Sequence, residues 1–108
     1  SAADRIKRNV KDLLKLPANR YCADCPARGP TWASINIGCF LCLNCAGIHR
    51  DIGVHITKVR STELDTWKEE WFQVMRREEG LGTNMRVADW RIAASVIEAD
   101  VPSARQNS

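Results

Sequence analysis

Several features that define protein classes are missing from this 108-residue sequence. No apolar run approaches the roughly 18 residues that a membrane-spanning helix requires, and the first residues do not resemble a secretory signal peptide. The sequence has no internal repeat, no low-complexity segment and no Gly-x4-Gly-Lys-Ser/Thr loop for nucleotide phosphates. We therefore expect an intracellular domain without a membrane span and without a P-loop nucleotide site of its own.

A large excess of charge of one sign is also missing. Sixteen basic residues against thirteen acidic residues give a net charge of +3, which does not by itself require nucleic acid or lipid as a partner. A hydrophobic content of 44% and a charged content of 27% are typical of globular proteins. The length is close to the commonest domain size, so we expect one domain over residues 1–108.

Cysteine, in contrast, is abundant, with five residues in the chain. An odd number without an export signal fits disulfides poorly and favours metal binding. Two C-x2-C pairs, Cys22 with Cys25 and Cys42 with Cys45, are separated by sixteen residues. Each pair can place two sulfurs on a tetrahedral ion at about 2.3 Å. The sequence therefore predicts one structural Zn²⁺ ion with no open coordination position.

Two other residues compete for this site. Cys39 forms a further C-x2-C pair with Cys42, but it alternates in phase with Ile35 and Leu41. We therefore interpret Cys39 as a small buried apolar residue. His49 would complete a site of three cysteines and one histidine, although the four cysteines already fill the coordination sphere.

Local patterns indicate an α+β fold. The first predicted elements are a helix over residues 4–16, capped by Asp4 and ended by Pro17, a strand over 35–41 and a short helix from Cys45 to Gly53. After them we predict a short strand or extended segment over 54–60, a helix opened by a capping box at Thr62 and ending near Gly80, and a helix over 88–99.

Arg50 is the candidate functional residue on the predicted helix after Cys45. Ile48 and Ile52 share a helix face that we expect to be buried, and Arg50 lies roughly 200° around from them, pointing outward. It follows a zinc ligand by five residues. A rigidly mounted arginine suits recognition of phosphate or carboxylate. A solvated surface arginine is the alternative, since the chain has eleven arginines.

The segment after this helix alternates in character. Val54, Ile56, Lys58 and Arg60 fall on one face of the predicted strand, two apolar residues followed by two cations. This pattern is typical of an interface patch with a basic end. It fits a half-buried strand with a solvated polar end equally well.

These residues belong to a longer series of motifs. In order, the series is Cys22-x2-Cys25, Trp32-Ala33-Ser34, Asn36-Ile37-Gly38, Cys42-x2-Cys45-Ala-Gly-Ile-His-Arg50, Gly53-Val-His-Ile, Val59-Arg-Ser61 and Leu64-Asp-x-Trp67. The series closely resembles the catalytic domain of the Arf-family GTPase-activating proteins, most of all the small stromal-membrane-associated kind. The resemblance covers residues 6–78.

The resemblance implies a four-cysteine zinc finger with a small β-sheet surrounded by α-helices. It also implies that the domain stimulates GTP hydrolysis by an Arf-family small GTPase in its GTP-bound form, with Arg50 as an arginine finger supplied in trans. Trp32 corresponds to an aromatic residue that supports this arginine. The segment that contacts the GTPase corresponds to Val54, Ile56, Lys58 and Arg60.

Such a domain is expected in the cytoplasm, recruited peripherally to Golgi, endosomal or plasma membranes through the GTPase or through flanking regions. Thr57 stands where the family usually has serine. Residues 80–102 diverge from the family pattern around its last helix, and residues 103–108 are expected to form a frayed tail.

Two other functions are compatible with the cysteine spacing. A nucleic-acid-binding finger of the GATA kind uses similar pairs, but basic residues between positions 20 and 60 are too few and too dispersed for a phosphate-tracking surface. We therefore expect no nucleic-acid partner. A catalytically silent interaction module of the same fold is the other alternative, and the presence of Arg50 argues against it.

Overall fold

The computed structural model of the chain describes residues 1–76. Its elements are helix α1 (Ala2–Leu14), a 3-10 turn (Pro17–Asn19), strands β1 (Trp32–Ser34) and β2 (Cys39–Leu41), helix α2 (Leu43–Ile52), strand β3 (Val59–Ser61) and helix α3 (Glu69–Met75). Within these residues, no helix is long and apolar enough to span a membrane. The predicted helix end near Gly80 and the predicted helix over 88–99 lie outside the described residues.

The three short strands form one antiparallel sheet in the order β2-β1-β3. β1 and β2 pair as a hairpin in which Trp32 lies opposite Leu41 and Ser34 lies opposite Cys39. On its other edge, β1 pairs with β3, so that Ser34 lies opposite Val59. The central strand therefore joins the cysteine-rich half of the chain to the segment that follows Arg50.

Two hydrophobic clusters contain alternating residues of the sheet. One cluster joins α1, α3 and the sheet, and consists of Ile6, Val10, Ala33, Ile35, Phe40, Trp67, Phe72 and Met75. The other contains three of the five cysteines and consists of Cys22, Ala23, Cys39, Leu41, Cys45, Ala46 and Val59. Because neighbouring strand residues point to opposite faces, Phe40 belongs to the first cluster while Cys39 and Leu41 belong to the second.

Helix α1 forms where the periodicity predicts it, but two residues earlier than expected at each end. Ser1 rather than Asp4 is the N-cap, and its hydroxyl accepts a hydrogen bond from the Asp4 N–H at 3.4 Å. Ile6 and Val10 are buried on the inner face of the helix. These two residues pack α1 into the first hydrophobic cluster.

The predicted strand over residues 35–41 is confirmed only for residues 39–41, which form β2. Residues 35–38 form the turn of the β1–β2 hairpin, closed by a hydrogen bond from the Gly38 N–H to the Ser34 carbonyl at 2.8 Å. Gly38 has a φ of 88°, a conformation that glycine adopts without a steric penalty. The alternation of Ile35, Ile37 and Cys39 therefore crosses a reversal of the chain.

The predicted capping box at Thr62 does not start a helix either. The Ser61 hydroxyl accepts hydrogen bonds from the N–H groups of Glu63 and Leu64 at 3.1 and 2.9 Å, and the Asp65 carboxylate accepts one from the Ser61 N–H at 2.6 Å. These contacts close a single turn after β3. Helix α3 starts only after Lys68.

Candidate functional site

Four cysteines form a compact group, called here the four-cysteine cluster: Cys22, Cys25, Cys42 and Cys45. Their Sγ atoms all lie within 4.8 Å of one another, and those of Cys25 and Cys42 are 3.6 Å apart. Four sulfurs at about 2.3 Å from a tetrahedral ion would lie about 3.8 Å apart, so the separations suit one metal ion. The two C-x2-C pairs predicted from the sequence do meet in space.

The backbone around the cluster also suits a bound cation. N–H groups of Asp24, Ala27 and Cys45 point at the sulfurs of Cys22, Cys25 and Cys42, at 3.5, 3.5 and 3.4 Å respectively. N–H donors directed at sulfur stabilise thiolate, the form that binds metal. The turns around the cluster therefore place backbone donors where they stabilise sulfurs in the thiolate form.

The thiols of the cluster differ in how readily they ionise. Burial raises the pKa of the Cys45 thiol well above its usual range, and the neighbouring thiols raise it further. Burial also acts to raise the pKa of Cys42, but hydrogen bonds from the Cys45 N–H and the neighbouring thiols outweigh it and lower that pKa to about 7. One thiolate forms readily while others resist ionisation. Deprotonated sulfurs this close together repel one another. A divalent cation bound to them would offset that repulsion.

The two competing residues lie outside the four-cysteine cluster. Cys39 is buried, with 7% of its surface exposed, and packs beside the four ligands in the second hydrophobic cluster. His49 is also buried, but its ring bonds to Asp24 and Thr57. The structure thus confirms that Cys39 is buried. It also shows that the His49 ring bonds to Asp24 and Thr57 and not to the sulfurs of the cluster.

Helix α2 connects the four-cysteine cluster to Arg50. Cys42 is the N-cap of the helix, so α2 begins at Leu43, before the position predicted from the sequence. The predicted buried face is wrong, because Ile48 and Ile52 are 60% and 52% exposed. The buried residues are Cys45, Ala46 and His49. Cys45 belongs to the four-cysteine cluster, so its side of α2 turns inward, and the small side chain of Ala46 allows close packing there.

Arg50 is exposed, as predicted, and its guanidinium lies over Trp32. The Cζ atom of Arg50 is 4.6 Å from the centroid of the Trp32 ring. This is a cation–π arrangement between the end of α2 and the sheet, because Trp32 is the first residue of β1. The structure therefore brings together the two residues to which the family resemblance assigned linked roles.

The segment over residues 54–60 is not a single strand, and that prediction is wrong. Gly53 has a φ of 118° and ends α2, and its carbonyl accepts hydrogen bonds from the N–H groups of Ile56 and Thr57 at 3.1 and 3.0 Å. This turn leaves Val54 and Ile56 56% and 61% exposed. Residues 54–58, called here the 54–58 loop, begin immediately after Gly53, the C-cap of the helix that carries Arg50.

The remaining predicted contact residues separate at the start of β3. Lys58 is exposed in the loop, whereas Arg60 is half-buried within β3. The Cζ atom of Arg60 lies 5.4 Å from the centroid of the Trp71 ring, and its Nη1 donates to the Val59 carbonyl at 2.8 Å. Arg60 therefore does not share one face with Val54, Ile56 and Lys58.

Sequence reasoning missed a chain of polar side chains behind Arg50, called here the polar network: Asp24, His49, Thr57, Ser34 and Asn36. His49 Nε2 donates to the Asp24 carboxylate at 2.6 Å, and His49 Nδ1 lies 2.9 Å from Thr57 Oγ1. Thr57 Oγ1 is in turn 2.7 Å from Ser34 Oγ, which donates to Asn36 Oδ1 at 3.1 Å. The sequence signal was the position of His49 beside Arg50 and of Asp24 inside a C-x2-C turn.

A family model, ArfGap, described as "Putative GTPase activating protein for Arf", matches residues 7–103 of the chain. The chain belongs to the ArfGap family. Human stromal membrane-associated protein 1 is similar to it, with 58% identity over 67 residues that make up 62% of this chain and 14% of that protein. The ADP-ribosylation factor GTPase-activating protein effector protein 2 of Saccharomyces cerevisiae is 54% identical over 66 residues, which are 60% of this chain and 22% of that protein.

Solved ArfGap-like structures share the fold. A Cryptosporidium parvum structure, described as a "putative GTPase activating protein for ADP ribosylation factor", superposes with a TM-score of 0.71 at 36% identity, and covers 81% of this chain and 66% of that one. The ArfGap domain of an HIV-1 Rev binding protein gives a TM-score of 0.62 at 28% identity, covering 69% and 56%. The chain spans less than a quarter of the two curated relatives described above. The fold is thus that of an ArfGap domain, a four-cysteine finger with a small sheet and α-helices.

Proposed function

We propose that this ArfGap domain stimulates GTP hydrolysis by an Arf-family small GTPase and supplies Arg50 to the active site of that GTPase in trans. One observation carries the proposal: Arg50 is exposed, yet its guanidinium is held 4.6 Å over the Trp32 ring. An exposed arginine with only solvent around it would sample many rotamers. This arginine is instead presented in a defined position on a helix that starts at a metal ligand.

The chemistry of phosphoryl transfer explains why one arginine is sufficient. Negative charge is spread over the γ-phosphate and bridging oxygens in the transition state, and a guanidinium supplied in trans commonly accelerates hydrolysis by about 10³–10⁵. The planar guanidinium presents paired donors along its edge. The Trp32 ring offers a cation–π contact and no hydrogen-bond acceptor, so this contact leaves the guanidinium donors available for phosphate oxygens.

The GTPase-contacting surface that we propose includes the 54–58 loop. Val54 and Ile56 expose apolar side chains and Lys58 adds a cation at its end. Exposed apolar residues beside a basic group are suited to a protein interface with a polar rim. Trp32 contributes as the support of Arg50, and Arg60 lies at the edge of this surface, against Trp71.

The four-cysteine cluster is proposed to hold one Zn²⁺ ion, because four sulfur ligands without an open position are typical of structural zinc. Bound there, the ion would join the Cys22–Cys25 turn to the start of α2. Its contribution is structural, since Arg50 rather than the metal acts on the phosphate. The residues of this chain then position the guanidinium and dock the partner.

We further propose that the domain acts in the cytoplasm, at Golgi, endosomal or plasma membranes. It would reach them through the GTPase or through segments outside this chain. This placement depends on the proposed partner, and neither a direct membrane contact nor a nucleic-acid contact forms part of the proposal.

Substitution of Arg50 by lysine tests the proposed activity. Lysine keeps the positive charge but loses the planar group that spans two oxygens. We expect Arg50→Lys to bind GTP-loaded Arf proteins within a few-fold of the parent and to lose on the order of 10³ in stimulated hydrolysis. Single-turnover hydrolysis by a panel of Arf proteins measures the rate, and binding to the same proteins loaded with a non-hydrolysable GTP analogue measures docking.

Arg8→Lys is the matched control, because Arg8 is an exposed arginine on α1. It should behave like the parent in both measurements. An Arg50→Lys domain that kept most of its stimulation would contradict the arginine-finger proposal, because the activity would then not depend on the guanidinium. Absence of stimulation by the parent domain across the panel would contradict the proposed activity itself.

A further inference from the structure

The polar network joins the metal-binding turn to the 54–58 loop through the residue that precedes Arg50. His49 is 8% exposed, Thr57 and Ser34 are more deeply buried, and Asp24 lies between the ligands Cys22 and Cys25. We infer that His49 and Thr57 are positioning residues that hold Arg50 and the 54–58 loop in one arrangement. This inference rests on the proposed function of Arg50.

The connection on the Asp24 side fixes α2 against the metal-binding turn. The Asp24 carboxylate can only accept, so His49 Nε2 must donate across the 2.6 Å separation. The Asp24 N–H also points at the Cys22 sulfur. The Cys22–Cys25 turn therefore holds the His49 ring by a side-chain bond, in addition to its connection to the start of α2 through the four-cysteine cluster.

The connection on the Thr57 side fixes the end of α2 to the loop. His49 Nδ1 contacts Thr57 Oγ1 at 2.9 Å, while Gly53, the C-cap of α2, accepts the Thr57 N–H at 3.0 Å. Thr57 is thus bonded to the last turn of the helix through both its side chain and its backbone. Arg50 lies within that turn, so a shift of His49 or Thr57 must move the Arg50 backbone.

A second branch of the network reaches the proposed contact residues. Asn36, in the turn of the hairpin, donates from Nδ2 to the Ile56 carbonyl at 2.8 Å and accepts at Oδ1 from the Lys58 N–H at 2.8 Å. These two bonds hold the loop backbone on either side of Thr57. The structure thus separates two roles: His49 with Thr57 positions Arg50, and Asn36 positions the loop.

This separation predicts different kinetic defects for the two branches. A misplacement of about 1 Å at a catalytic group can reduce the rate about 10²-fold. We therefore expect Thr57→Val, which removes the hydroxyl at nearly constant volume, to lower kcat by about 10- to 100-fold. His49→Phe should have the same effect. Asn36→Ala should instead raise the KM for the GTP-loaded Arf protein several-fold and leave kcat within about twofold.

Two further variants serve as controls. Thr57→Ser keeps the hydroxyl and should restore most of kcat. Thr62→Val removes a buried hydroxyl that donates to the Thr31 carbonyl at 2.8 Å, while the Thr62 N–H keeps its own bond to that carbonyl at 2.9 Å. It should match the parent in kcat and KM, because Thr62 is outside the polar network. Zinc content and thermal melting identify which variants are folded.

The experiment is saturation kinetics of stimulated hydrolysis by the whole 108-residue chain, with Arg50→Lys measured in parallel. A folded Thr57→Val domain with the kcat of the parent would overturn the inference if Arg50→Lys remains defective, since the arginine would then act without the network. If Arg50→Lys also keeps its rate, the proposed arginine finger fails, and with it the premise of this inference. A His49→Phe domain that does not fold leaves the Thr57→Val and Thr57→Ser pair to decide.

Discussion

The contact between Arg50 and Trp32 matters at the residue scale because a free arginine side chain has about 2 kcal/mol of rotamer entropy to lose. Stacking over an aromatic ring at 4.6 Å offsets part of that loss before any partner arrives. A cation–π contact at an exposed site contributes about 0.5–1 kcal/mol. That is sufficient to bias the side chain toward one position, and too little to prevent it from moving onto a phosphate.

Cys39 provides a prediction about which sulfurs bind metal. It packs beside the four-cysteine cluster without belonging to it, so Cys39→Ala removes only one buried sulfur atom. We expect this variant to keep one Zn²⁺ per chain and to lose about 1–2 kcal/mol of unfolding free energy. Elemental analysis and denaturant unfolding measure the two quantities. Cys42→Ala is the contrasting variant, and it should lose both the metal and the fold.

Release of the metal by Cys39→Ala would show that the ligand set is wrong. A fully folded, zinc-loaded Cys42→Ala protein would show the same.

Residues differ in how far the sequence alone reveals their roles. The four-cysteine cluster was predictable because each C-x2-C pair is a local turn whose spacing carries the geometry. The polar network was not, since Asp24 and His49 are 25 residues apart and Ser34 and Thr57 are 23 residues apart. Its pairs form only when the sheet brings separate segments together.

At the scale of elements, helix α2 shows why periodicity placed the wrong face inward. Hydrophobic periodicity assumes that the larger apolar side chains are buried. In α2 the buried side consists of a cysteine, an alanine and a histidine, while Ile48 and Ile52 are exposed. The position of the metal ligand overrides the hydrophobic pattern. Exposed isoleucines beside Arg50 then have the character of an interface rather than of a core.

The 54–58 loop is expected to act in docking rather than in chemistry. Ile56 and Lys58 are exposed and make their described hydrogen bonds through the backbone, so their side chains are available to a partner. We expect Ile56→Ala and Lys58→Ala to raise the KM for GTP-loaded Arf protein about tenfold and to leave kcat unchanged at saturation. Saturation kinetics separates the two parameters.

Lys11→Ala is a suitable charge control for Lys58→Ala, because Lys11 is exposed on α1. It should leave KM unchanged at moderate ionic strength, where the Debye length is about 10 Å. A loop variant that lowered kcat while KM stayed constant would assign the loop a part in catalysis instead.

The elements that the sequence placed wrongly share a physical cause. The predicted strand over 35–41, the predicted strand over 54–60 and the predicted helix from Thr62 each ran through a tight turn. Gly38 and Gly53 at positive φ form two of these turns, and the Ser61 hydroxyl caps the third. Turn residues were visible in the sequence, but apolar alternation in the first two segments and an apparent capping box in the third concealed the turns.

At the scale of the whole molecule, the two hydrophobic clusters differ in what holds them together. The cluster between α1, α3 and the sheet contains large side chains, among them Phe40, Trp67 and Met75. The cluster on the other face contains mainly cysteines, alanines, one leucine and one valine. Such small residues bury little apolar area, so we expect the proposed metal ion to supply much of the stability on the side that carries Arg50.

Metal removal should therefore unfold the domain rather than merely loosen one turn. Apparent zinc-binding free energies of about 10–16 kcal/mol equal or exceed the roughly 5–15 kcal/mol by which domains are usually stable. We expect one Zn²⁺ per chain, loss of most helical circular dichroism when a strong chelator removes it, and recovery when Zn²⁺ is returned.

Co²⁺ added to the metal-free chain should give the intense visible absorption of a tetrahedral site with sulfur ligands, because the four sulfurs leave no place for water. Retained helical signal in the metal-free protein, or a Co²⁺ spectrum typical of octahedral oxygen ligands, would contradict a structural centre with four cysteine ligands. The Cys39→Ala protein should give the same Co²⁺ spectrum as the parent. The metal ion on which folding of the whole domain depends would then be bound by the other four cysteines, without Cys39.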